Sequence, residues 1–235
     1  MCGRVCRDSY GYAQPCPPEQ LFMFVGHLAA GLVLKARVPK APLSWLLFAT
    51  IAPDLLCGAL LLAGVEHAHF EGSMTFAHLR GDAGYSHSLL ASVVYSVLAG
   101  WFGSRHWHST RVGVALALAV FSHFVLDALS HHPDMPLLGF DTVNDIHTGT
   151  GLASQPAAFY LVELAWCALA CVLFDRSNTR LLGTFAMLMA LYTNLVFGFV
   201  QLPPLAGREF GAVMLVIFSL AALVVGWAAS SRTAS

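Results

Sequence analysis

Seven apolar runs take up most of this chain, at about residues 21–34, 43–64, 87–104, 112–131, 156–174, 181–202 and 209–230. Roughly 20 apolar residues span the hydrocarbon core of a bilayer as a helix, and most of these runs approach that length. In hydrocarbon the backbone has no water to bond, so each run must satisfy its own amides as a helix. The first run is short, which suits a tilted or partial span. Only 11% of the 235 residues are charged, 57% are hydrophobic, and the mean hydropathy is +0.67. A soluble domain carries about 25% charged residues, so this chain cannot cover itself for water. The expected fold is therefore all-α: a polytopic transmembrane helical bundle of about six to seven helices, forming one domain over residues 21–235.

Residues 1–20 differ in character from the rest of the chain. They are polar, with Cys2, Cys6 and Cys16 beside Pro15, Pro17 and Pro18, and they lack the basic-then-apolar order of a signal peptide. Met23 stands where the apolar pattern starts, so the expectation is a disordered or mis-called leader. The remaining cysteines, Cys57, Cys167 and Cys171, sit in apolar runs, and no CxxC pair supports a zinc ribbon or a disulfide framework. Cys167 and Cys171 share a helix face and read as packing residues. A net charge of −1 offers nothing to a nucleic acid.

Alternate connections differ in charge. Lys35, Arg37, Lys40, Arg105, Arg111, Arg176, Arg180 and Arg232 fall on one side, whereas the opposite loops hold only Arg80 and Arg208. The positive-inside rule makes the first set cytoplasmic. The longer loops 65–86 and 132–155, rich in Asp, Glu and His, then face outward.

Against this apolar background the stretch Ser122–Asp134 is anomalous. His123, Asp127 and His131 succeed one another at intervals of four, so on a helix they share one stripe. Ionisable groups persist in hydrocarbon only when they pair, line a wet cavity or hold an ion. With this topology, His27, Asp54, His87, His123, Asp127 and Glu163 fall in one slab roughly 15 Å deep on the outer side, counting about 1.5 Å per helical residue. Five runs contribute to it, which favours a shared site over separate buried hydrogen bonds. Imidazole and carboxylate are the ligands that zinc, manganese and iron accept. His131 and Asp134 lie at the boundary, where they also read as a helix stop before Pro133 and Pro136. His27 taken alone also reads as an interhelical hydrogen-bond donor, and Asp54 after Pro53 as a cap on a helix break. Glu66, His67 and His69 read as rim residues, and Glu163 also as an acceptor that orients a ligand histidine.

The series GHLAAG (26–31), PD (53–54), EHAH (66–69), YSHSLLA (85–91), SHFVLD (122–127) and SHHPDMPL (130–137) resembles a family of small bacterial multi-pass proteins. These are described as predicted membrane-bound metal-dependent hydrolases, the YdjM-like group. The likeness covers about residues 23–175. It implies a metal site from His27, Asp54, His87, His123 and Asp127, with His131 and Asp134 nearby, in the bacterial inner membrane.

The chemistry expected of such a site is metal-assisted hydrolysis. His87, His123 and Asp127 are the ligands, and Asp54 or Glu163 is the general base. The cofactor is a divalent metal, zinc first and manganese or iron as alternatives, and the surplus of donors leaves room for two ions. A membrane lipid or lipid-linked ester or phosphoester is the expected substrate. Two rival readings stand beside it: a metal or proton transporter, and a non-catalytic membrane protein clamped by a structural metal.

Overall fold

The computed structural model describes residues 5–7, 13–15, 25–70, 72, 74–75, 79–131, 133, 135–139 and 146–230. The chain is mostly helical. Its helices are α1 (Val25–Arg37), α2 (Leu43–Thr50), α3 (Ala52–Ala63), α4 (Gly84–His87), α5 (Leu89–His106), α6 (Thr110–Ser130), α7 (Pro156–Asp175), α8 (Thr179–Phe197) and α9 (Gly207–Ala229). Short antiparallel pairs join Val5–Arg7 to Ala13–Pro15 (β1, β2), His67–Phe70 to Leu79–Asp82 (β3, β4) and Met135–Pro136 to His147–Thr148 (β5, β6). The β1–β2 pair is all that is described of residues 1–20, so the rest of the leader expectation lies outside the described residues.

Helix α1 is the central post. Every residue from Val25 to Leu32 is buried, and the helix packs against α2, α6, α7 and α8. Enclosed on every side over its first two turns, α1 carries small and apolar residues there, with His27 the ionisable exception. Its basic end, with Lys35 and Arg37, turns into the next helix, where the Lys35 ammonium donates to the carbonyls of Pro39 and Ala41.

The second apolar run does not form one helix. It breaks at Ile51 into α2 and α3, which meet at a bend of 55°. Pro53 has no N–H to give the Ala49 carbonyl and occupies the first turn of α3, where a proline is tolerated. Elsewhere close packing rests on small residues, as it does between helices in lipid. Gly113 of α6 lies against the Gly100 carbonyl and Ser104 of α5, while Gly58 of α3 meets Gly211 of α9.

Among the described residues four helices, α6, α7, α8 and α9, are long and apolar enough to cross a membrane, and the bent α2–α3 pair makes five if it counts as one span. The expected six to seven spans are therefore reached only in part. Helix α1 has 13 described residues. Helix α5 has 18, diluted by Ser92, Ser96, Ser104, Arg105 and His106. Large apolar side chains point outward from the bundle, among them Leu191, Trp101 and Val97 at 69%, 65% and 64% exposure. Such an outer face belongs in lipid rather than water.

Candidate metal centre

The break in the second run sets up the site. A continuous helix would have directed the Thr50 carbonyl to an N–H four residues on. Here that oxygen lies 2.8 Å from His123 Nδ1. A carbonyl can only accept, so Nδ1 carries the proton and Nε2 presents its lone pair. One turn after the break, Asp54 stands in the first turn of α3, 4% exposed. Irregular backbone at membrane depth is tolerated where it is enclosed by protein or lines a cavity, and this one feeds a buried cluster.

His87 is fixed in the same sense from another direction. It ends the short helix α4, and its Nδ1 lies 2.7 Å from Ser86 Oγ. Ser86 directs its own hydroxyl hydrogen to Glu66, 2.8 Å from Oε2, and its backbone N–H donates to Oε1 at 2.9 Å. With that hydrogen engaged, Ser86 accepts from His87 Nδ1–H, and His87 Nε2 is left as a lone pair. Glu66 is 2% exposed. The expectation that it rims the site from outside is replaced by a carboxylate–serine–histidine chain behind a ligand atom. The turn after α3, with Gly64 at φ 73°, is what brings Glu66 back against α4.

The two lone pairs face each other: His87 Nε2 and His123 Nε2 are 3.2 Å apart. Around them, Asp54 Oδ1 lies 3.5 Å from His87 Nε2 and 3.8 Å from His123 Nε2. Asp127 Oδ2 lies 3.2 Å from His123 Nε2 and 4.0 Å from His87 Nε2. Four acceptors converging without a hydrogen between them repel unless a cation sits among them. Ligands about 2.0–2.1 Å from a tetrahedral zinc lie roughly 3.3 Å from one another. The donor set therefore fits a divalent metal. His87, His123 and Asp127 form one group whose ligand atoms lie within 4.8 Å of each other, and His27, Asp54 and His123 form a second.

His27 enters from α1, its ring stacked on that of His123 at 3.8 Å between centroids, with Nε2 3.2 Å from Asp127 Oδ1. Helix α7 grips the residue before it from both sides. Gly26 N–H donates to Glu163 Oε1 at 2.7 Å, and Trp166 Nε1 donates to the Gly26 carbonyl at 2.9 Å. The Gly26 N–H belongs to the first turn of α1, where backbone donors lack helical partners, and a carboxylate from another helix supplies one. Glu163 thus positions the start of α1 and is in neither donor group.

Of the six residues expected to bind metal, His27, Asp54, His87, His123 and Asp127 come together. His131 does not join them. Helix α6 ends at Ser130, and His131 is its cap residue at φ −65°, ψ 157°. Its N–H still bonds the Asp127 carbonyl at 2.7 Å, but the residue belongs to neither group of converging ligand atoms, and the extended ψ turns the chain away after it. Its carbonyl instead accepts from Gly151 N–H at 2.8 Å, tying the end of α6 to the segment before α7. Asp134 and His132 of the SHHPDMPL series lie outside the described residues.

The cluster is closed. His27, Asp54, His87, His123 and Asp127 are 1%, 4%, 5%, 1% and 0% exposed. Missing from the sequence reading are Thr50 and Ser86, which settle the two imidazoles. Ser86 is adjacent to His87 in the sequence, but a backbone carbonyl such as that of Thr50 leaves no trace in residue identity. Compared with family models, with curated proteins and with solved structures, the chain matches none of them.

Proposed function

We propose that this protein is an integral-membrane, metal-dependent hydrolase of the YdjM-like kind, residing in a bacterial inner membrane with its site toward the non-cytoplasmic face. The observation that carries the reading is the pair of imidazole lone pairs 3.2 Å apart with a carboxylate oxygen on either side, all in buried, apolar surroundings. The order of motifs along the chain supports the family. The orientation rests on the basic residues at the far end of α1, α5, α6, α7 and α8.

His87, His123, Asp54 and Asp127 are the residues that would hold a divalent ion, zinc first. When bound, such an ion supplies Lewis acidity and lowers the pKa of a coordinated water toward neutrality. The chain's own part is to keep both imidazoles in the tautomer that offers Nε2, through Thr50 and through Ser86 backed by Glu66. Asp54 also carries Oδ2, which has no hydrogen-bond partner among the described residues, and is the carboxylate available to take a proton from the attacking water. Glu163 holds α1 so that His27 meets Asp127. A site set among membrane helices suits a lipid or lipid-linked ester or phosphoester.

One observation favours a second reading. The site is fully enclosed and its donors come from α1, α3, α4 and α6, so a bound ion would also clamp four elements together. Purified protein in lipid nanodiscs, supplied with pooled membrane lipids, separates the two. Hydrolysis of a lipid ester or phosphoester that stops with chelator and returns with zinc supports the enzyme. Metal-dependent thermal stability with no product from any lipid pool refutes it in favour of the clamp. Metal-dependent flux into proteoliposomes without turnover refutes it in favour of transport.

A further inference from the structure

Among the described residues four carboxylates lie buried at one end of the bundle: Asp54, Glu66, Asp127 and Glu163, each 4% exposed or less. Among the described side chains no lysine or arginine is buried with them. Glu66 and Glu163 each accept a backbone N–H, which eases but does not cancel their charge. Of the four, Asp54 and Asp127 are the ones whose oxygens face the imidazoles, and carboxylates gathered in a buried site favour bound cations.

The arrangement of Asp127 points to a second cation position. Its two oxygens face different imidazoles: Oδ2 lies 3.2 Å from His123 Nε2, and Oδ1 lies 3.2 Å from His27 Nε2. Neither oxygen makes a hydrogen bond of good geometry among the described residues, and Asp127 is 0% exposed. His27 Nδ1 and Asp54 Oδ2 are also buried without a hydrogen-bond partner there. Ligand atoms of His27, Asp54 and His123 all lie within 4.8 Å of one another. A single ion at the His87–His123 pair uses one oxygen of Asp127 and leaves the other, Oδ1, facing His27 Nε2.

From this geometry we infer that the centre is built for two divalent cations bridged by Asp127, the second held by His27 Nε2 and Asp127 Oδ1 with Asp54 beside them. The inference rests on the proposed metal centre and fixes its stoichiometry: His27 belongs to the second ion, whereas His87 belongs to the first.

The test is metal content, read without any substrate. Full-length protein in detergent is stripped with chelator, reloaded with manganese(II) or zinc and desalted, and ions per chain are measured beside helicity and monodispersity. The wild type is expected to hold about two ions, as bridged two-metal sites do, and folded His27→Ala about one. Manganese-loaded wild type is expected to give an exchange-coupled paramagnetic resonance signal that His27→Ala lacks. One ion per wild-type chain at saturation overturns the inference, however the variant folds, and leaves the single-metal reading standing. Two ions in folded His27→Ala overturn it as well. No ion in the wild type overturns the metal centre itself.

Discussion

His87 Nε2 and His123 Nε2 face each other across 3.2 Å, and each ring has its Nδ1 turned onto a separate acceptor, Ser86 Oγ and the Thr50 carbonyl. With both Nδ1 atoms bonded elsewhere, the two Nε2 atoms are left facing each other, an arrangement that a cation between them stabilises. Substitutions in the residues that produce this pair, or depend on it, should therefore change how the protein holds a metal.

Removing a ligand should remove the metal. His123→Ala and Asp127→Ala are expected to lose metal affinity by more than the 10–100-fold typical of losing an outer partner. Elemental analysis of both, purified beside the wild type, checks it. Equal metal content in all three would exclude these residues as ligands.

Loss of the outer partner should weaken binding without abolishing it. Ser86→Ala takes away the acceptor for His87 Nδ1–H and leaves Glu66 buried without its hydroxyl donor. A 10–100-fold drop in zinc affinity is expected, measured by competition with a chelator of known strength. Affinity unchanged within a factor of about two would mean that Ser86 does not set the tautomer.

The break at Ile51 should matter to the metal as well as to the bend. Pro53→Ala restores a donor for the Ala49 carbonyl and favours a continuous helix, which draws the Thr50 carbonyl away from His123. Metal affinity is expected to fall by about the same 10–100-fold while helicity holds or rises. Circular dichroism and the zinc competition together decide it.

Stability and metal binding should separate at the far end of α6. Gly113→Val forces a side chain against the Gly100 carbonyl and Ser104, where overpacking costs about 1–3 kcal/mol. Gly113 lies ten residues from His123, about 15 Å along the helix, so metal per folded chain should not change. A lowered melting temperature with unaltered metal content is the expected result.

Orientation can be read by labelling. His147 and His108 are both exposed, at opposite ends of the helices. In a background with Cys2, Cys6 and Cys16 replaced by serine, His147→Cys should react with a membrane-impermeant thiol reagent on intact cells. His108→Cys should react only after lysis. The reverse pattern would place the site on the cytoplasmic side.

The sequence determined that this is a helical protein with an apolar exterior, because an 11% charged chain with long apolar runs has no other way to satisfy its backbone. It also singled out His27, Asp54, His87, His123 and Asp127, since ionisable side chains are conspicuous where their burial is unfavourable. What it did not determine depends on where elements end and how they meet. Helix α6 stops at Ser130, and His131, its cap residue, is in neither group of converging ligand atoms. Glu66 lies in a loop by composition, and only the turn at Gly64 carries it beneath His87. The tautomer of His123 is set by the carbonyl of Thr50, freed where one run becomes two helices at a 55° bend. Side-chain chemistry is written in residue identity and can be read locally. The direction of a backbone carbonyl is written in no single residue, and only the packed bundle decides it.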